Sequence, residues 1–128
     1  MADYLVAGDI TDDITTGHTT KVAAIIVRST AECNNLAREF DIDTDDIETP
    51  IDYQIKQWLI AWVMKTFCEE LTGKTGLDIT DQERYYFKWK MYDKKEKDLR
   101  AKVTGEMFTD TVYDVGDAGY NTGILYRS

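Results

Sequence analysis

One proline, one histidine and two cysteines are all that these 128 residues hold of three residue types that often mark special chemistry. With His18 alone, a histidine-based triad or a His-rich metal site has little to build on, and there is no C-x-x-C motif or second Cys/His cluster. Cys33 and Cys68 sit in helical patterns beside apolar neighbours, which reads as small buried hydrophobes in a reducing compartment. Long apolar runs are missing as well: the longest, Trp58–Met64, is too short to span a bilayer. The opening MADYLVAGDITDD has no basic stretch and carries four aspartates, so no signal peptide is expected and the chain reads as soluble and cytoplasmic. G-x-S-x-G and H-E-x-x-H are absent, and the carboxylates fall in loop-like rather than apolar settings, so neither an enzyme nor a cofactor is expected.

Positive charge is scarce: 15 Lys and Arg face 24 Asp and Glu, for a net charge of −9, which argues against general nucleic-acid binding. The imbalance is uneven. Between Asp81 and Lys102 there are eight basic and five acidic residues, a local balance of +3 that leaves −12 on the rest. One mildly basic segment on an acidic body can orient a subunit against its neighbour or against a partner.

The residues present describe one domain with enough apolar material, 43%, for a real core. Met1–Thr16 reads as a lead-in, with Tyr4-Leu5-Val6 extended and one aspartate-capped helical turn over Asp9–Ile14. A first helix is predicted from about Thr20 to Phe40, capped by Thr19 or Thr20, because Val22, Ile25, Ile26, Cys33, Leu36, Ala37 and Phe40 recur at three- and four-residue steps. An acidic loop, Asp41–Thr49, follows. A second helix is predicted with Thr49 as cap, Pro50 in the first position and Asp52 as the capping-box acid, running to about Thr72 with Gly73 as the residue beyond its end. Its stripe is Ile51, Ile55, Trp58, Leu59, Trp62, Val63, Phe67 and Leu71. Thr80-Asp81-Gln82-Glu83 reads as the capping box of a third helix. There Tyr85, Trp89, Tyr92, Leu99 and Val103 keep the helical period, Glu96 interrupts it, and the charged C-terminal half is expected to project. Tyr85, Trp89 and Tyr92 are expected to pack on Trp58 and Trp62, with Tyr86 and Lys90 outward.

Two short motifs fail on inspection. Gly73-Lys74-Thr75 resembles the end of a phosphate loop, but Cys68 stands where the first glycine belongs and a helix precedes it instead of a strand. Asp41, Asp43 and Asp45 match the first, third and fifth positions of a calcium loop, but Asp46 replaces the glycine at the sixth and Asp52 the glutamate at the twelfth.

The last twenty residues stand apart. Thr109–Ser128 has three glycines, no proline, and apolar residues spaced for an extended backbone. Such a segment is too aromatic and β-branched for a solvated tail. It reads as an extended arm that inserts into a partner, with Val112, Tyr113, Val115, Tyr120, Ile124, Leu125 and Tyr126 as anchors and Gly116, Gly119 and Gly123 as hinges. The expectation is a mainly α bundle of three main helices over residues 1–108 and a docking arm over 109–128. Asp43, Asp45 and Asp46 are candidates for charge contacts between subunits with Lys94, Lys95 and Lys97.

This organisation (polar lead-in, helix ending at Phe40, acidic loop, Thr49-Pro50 helix, the lysine-rich YYFKWKMYDKKEKDLRAKV and the arm) resembles the small helical head–tail connector, or adaptor, proteins of tailed bacteriophages and gene transfer agents. The resemblance implies a virion neck protein, assembled in the host cytoplasm into a homo-oligomeric ring, commonly of twelve, beneath the portal protein. Its arm would dock on the portal and its other side would meet the next neck or tail protein. DNA would pass through the ring without specific binding, and an acidic lumen would repel it. The alternative is a small acidic helical regulatory or inhibitor module that binds a basic protein partner.

Overall fold

The computed structural model describes residues 3–73, 76 and 78–109. They form four helices, α1 (Thr19–Glu39), α2 (Tyr53–Thr72), α3 (Ile79–Arg100) and the single turn α4 (Glu106–Thr109), with no strand among the described residues. The three long helices pack as a bundle, as the periodicity predicts. α2 lies between α1 and α3, so it is buried nearly all round: Ile55, Trp58, Leu59, Ala61, Val63, Met64, Phe67, Cys68 and Leu71 all lie in the interior. A helix with neighbours on two sides needs apolar residues on more than one stripe. α1 contributes Val22, Ile25, Ile26, Cys33, Leu36 and Ala37. Both cysteines are reduced and buried, and burial pushes each thiol up to about 12.

The helix boundaries correct several readings. α1 is preceded by His18, which makes no side-chain cap, instead of starting behind a capping threonine. The His18 side chain is half-buried, its ring packed edge-on against Phe67 at 5.3 Å. Phe40 ends the α1 stripe outside the core, 40% exposed, beside Phe108. α2 begins three residues later than predicted, because the Asp52 carboxylate accepts from the Gln54 N–H at 2.8 Å and takes the cap. Thr49 and Pro50, joined by a cis peptide, precede the helix. Gly73 is the C-cap itself, in right-handed conformation. Among the described residues of that connection Gly76 is left-handed, φ +91°, where a side chain would be strained. α3 is capped by Asp78, which accepts from the Asp81 N–H at 2.8 Å, and not by Thr80.

The largest correction concerns Glu96. It stays on the α3 stripe, four residues after Tyr92 and three before Leu99, and is 4% exposed. Its carboxylate accepts from the Trp58 indole N–H at 2.8 Å and from the Lys65 ammonium at 3.0 Å. Lys65 also lies 3.7 Å from Asp93, which pairs with Lys97 at 2.8 Å. An indole buried as deeply as Trp58 needs an acceptor, and α3 supplies it as a charge. The C-terminal half of α3 therefore does not project. Arg100 lies over the Trp58 ring and pairs with Glu39 of α1 at 3.1 Å. Tyr85 meets Phe67 edge-on, and Tyr92 donates to Asp12; neither has a tryptophan of α2 as its ring partner.

The lead-in is a strap across all three long helices. Asp3 accepts from Thr30 and Asn34 from Tyr4, both on α1, and Asp9 pairs with Lys56 of α2 at 3.1 Å. Asp12 takes Lys88 and Tyr92 of α3. Two 3₁₀ turns, Ala7–Asp9 and Asp13–Thr15, replace the single turn expected, and Leu5 and Ile14 bury beneath them.

Candidate functional site

The polar clusters of the bundle are mostly closed on themselves. Asp12 caps the second 3₁₀ turn by accepting from the Ile14 N–H and receives Lys88 at 3.0 Å. Burial alone would raise its carboxyl. The Ile14 N–H, the Tyr92 hydroxyl and the Lys88 ammonium outweigh that effect and hold it below the ordinary carboxylate range. Burial, with Asp12 alongside, pushes the Tyr92 hydroxyl up. A carboxyl depressed in the folded state stabilises the fold fully above its unfolded value, about 3.9, and that contribution disappears as pH falls through the folded value. Asp12→Asn should therefore cost about 1–3 kcal/mol at neutral pH and flatten the acid side of the stability curve. Urea unfolding from pH 2 to 7 measures both.

An open groove of about 650 Å³ lies at the start of α1, lined by Gly17, His18, Lys21, Arg28 and Glu70 among others. Its two cations are already engaged: Glu70 accepts Lys21 at 3.0 Å and Arg28 at 2.7 Å, and Arg28 and Lys21 together hold its carboxyl low. The groove thus ties α1 to the end of α2. Among the described residues no group of three or more His, Cys, Asp or Glu is placed to hold a metal ion, and no helix is long and apolar enough to cross a membrane. The acidic loop, which has a 3₁₀ turn at Thr44–Asp46 and Asp41 in left-handed conformation (φ 63°), is a connection between helices.

Two further surfaces stand out among the described residues. The first is the outward face of α3, where Ile79, Tyr86, Phe87 and Met91 are exposed. Tyr86 stacks on Trp89 at 5.9 Å, and the Lys90 ammonium lies over the Tyr86 ring at 5.4 Å, so the pair Tyr86 and Lys90 is outward as predicted. The Trp89 indole N–H finds no acceptor among the described residues. The second surface is the end of the bundle where α1 stops. Phe40, Asp41, Asp43, Asp45, Asp46 and Glu48 are exposed there, and none of these acids is in an ion pair among the described residues.

The candidate charge contacts divide accordingly. Lys94 and Lys97 each have a partner within α3, Asp98 and Asp93, both at 2.8 Å. Exposed pairs of this kind are weak, so another carboxylate can compete for either lysine. Lys95 and Lys90 are without a carboxylate among the described residues. Asp43, Asp45 and Asp46 lie together on the 3₁₀ turn and face solvent. The arm anchors Val112, Tyr113, Val115, Tyr120, Ile124, Leu125 and Tyr126, and the hinges Gly116, Gly119 and Gly123, lie outside the described residues. Sequence reasoning missed the exposed apolar half of this site: Phe87 reads as one of an aromatic cluster that belongs mainly to the core, and nothing singles out Met91. Their spacing of four residues, matched by Tyr86 and Lys90, was the available signal.

Comparison with protein-family models, curated proteins and solved structures finds no match to this chain.

Proposed function

We propose that this chain is a head–tail connector, or adaptor, of a tailed bacteriophage or gene transfer agent. It would be a structural neck protein that forms a ring under the portal and docks through its C-terminal arm. The reading is supported by the order of apolar residues along the chain. The described residues form a core that includes the fully buried Phe108, and seven large apolar residues follow between Val112 and Tyr126. The activity is assembly and not catalysis, with the portal and the next neck or tail protein as partners. An extended apolar segment adds a strand to a sheet edge or fills a groove. Repetition around a ring multiplies contacts that are weak one at a time.

The unpaired carboxylates of Asp41–Glu48 favour a second reading, an acidic regulatory module that captures a basic partner. The chain ending at Thr109 separates the two. Its circular dichroism should match that of the full chain, and the annular particles that the full chain forms in electron micrographs should be lost. If the shortened chain unfolds, the arm belongs to the core and docking is wrong. If the full chain stays a monomer or dimer and binds its target without residues 110–128, the regulatory reading stands instead.

A further inference from the structure

We propose that copies of this chain dock head to tail, the α3 face around Tyr86, Phe87, Lys90 and Met91 of one copy receiving the Phe40–Asp46 end of the next. The contact deepens the ring reading and rests on it. Three observations carry it.

The first is exposed apolar area in one place. Tyr86 and Phe87 are 50% and 67% exposed, and Met91 follows one turn later at 43%. Aromatic residues and methionine concentrated on one exposed face are the composition of an interface core. Tyr86 is held by stacking on Trp89 and by Lys90, so it offers a pre-ordered surface that loses little freedom on binding.

The second is charge. Lys90 and Lys95 on α3 have no carboxylate among the described residues, and Asp41, Asp43, Asp45 and Asp46 have no cation. On a chain of net charge −9, copies repel each other unless a local basic face meets a local acidic one. Phe40 sits beside those acids, half-exposed, and adds an apolar residue to the acidic end.

The third is distance. Arg100 pairs with Glu39, which fixes the C-terminal end of α3 beside the acidic loop. Phe87 is thirteen residues earlier on the same helix, about 20 Å away along its axis at 1.5 Å per residue. The two surfaces of one copy therefore cannot meet each other. Two unlike patches at separated positions allow a heterologous contact, which closes into a ring or continues as a filament.

The test uses the full chain, with sedimentation velocity and native mass spectrometry to read assembly and circular dichroism to confirm folding. Phe87→Glu, Lys90→Glu and the pair Asp45→Lys/Asp46→Lys should each weaken self-association by about tenfold or more, as loss of an interface anchor does. Lys90→Glu combined with Asp45→Lys/Asp46→Lys in one chain should recover most of it, which damage to either surface alone would not allow. Rising salt should weaken the wild type and leave a chain with Lys90→Gln and Asp45→Asn/Asp46→Asn comparatively insensitive. If the wild type forms rings that Phe87→Glu and Lys90→Glu leave intact, this contact is wrong and the ring reading stands. If those rings are lost only on removal of residues 110–128, the α3 face has no role in assembly and the contact is equally wrong. If the wild type does not self-associate, both fall.

Discussion

Glu96→Leu should destabilise the bundle by about 3–5 kcal/mol, the cost of breaking a buried ion pair by removing one partner. The substitution is nearly neutral in shape and supplies an apolar side chain on an apolar stripe, so hydropathy alone predicts a gain. The geometry predicts the opposite. Without the carboxylate, the Trp58 indole N–H loses its acceptor at the α2–α3 contact and the Lys65 ammonium keeps only the longer contact with Asp93, at 3.7 Å. A second substitution checks the cause. Lys65→Met in the Glu96→Leu background should recover part of the loss, because only the indole N–H is then unsatisfied. Glu96→Gln should be milder than leucine, since the amide oxygen still accepts from Trp58. Urea unfolding followed by tryptophan fluorescence reads all three. A Glu96→Leu protein as stable as the wild type would mean that the charge is dispensable.

Phe108→Ala should cost about 3–5 kcal/mol, as large-to-small substitutions at fully buried aromatic sites do. Phe108 is 0% exposed. Its ring packs beside Phe40 at 6.0 Å, and its carbonyl accepts from the Glu48 N–H at 2.7 Å. One residue thus joins α4, the end of α1 and the acidic loop. It follows that the position of a truncation matters. A chain ending at Thr109 keeps this plug and should unfold at the wild-type midpoint. A chain ending at Gly105 loses it and should show a deficit at least as large as that of Phe108→Ala. If both truncations behave alike, Phe108 does not hold the end of the bundle. The acidic end proposed to dock on the next copy is braced by the same residue, so Phe108→Ala should also impair assembly.

The three long helices were legible because burial on a helix leaves a periodic trace. Val22 to Ala37, Ile55 to Leu71, and Tyr85 with Tyr92 and Val103 fall in the core as their spacing requires. The caps were misplaced because several aspartates and threonines stand near each boundary, and sequence does not say which oxygen reaches the free N–H groups. Asp52 and Asp78 prevailed over Thr49 and Thr80 by hydrogen bonds that only the backbone path decides. Glu96 reads as an interruption because hydropathy ranks a residue by its side chain and not by what faces it. The indole opposite was the missing information. The strap was invisible for a related reason: its anchors are polar pairs between distant residues, and no local pattern marks them. The surface of α3 was half legible, its lysines read correctly as exposed and its aromatic residues assigned mainly to the core. Tyr85 and Tyr92 are in fact buried, and Phe87 is not.

The strap also sets an order of events during synthesis. Asp12 leaves the ribosome long before its partners Lys88 and Tyr92, which lie 76 and 80 residues further along. The Asp12 end of the strap can therefore be fastened only once α3 has been made, although Asp3, Tyr4 and Asp9 can engage α1 and α2 earlier. α1 and α2 have each other to pack on while α3 is still being translated, but the apolar side of α2 destined for α3 stays open through that interval. Contacts of such long sequence separation close slowly, and exposed apolar surface during the wait is where nascent chains aggregate. Asp12 does more than anchor the strap: its engagement marks the arrival of α3.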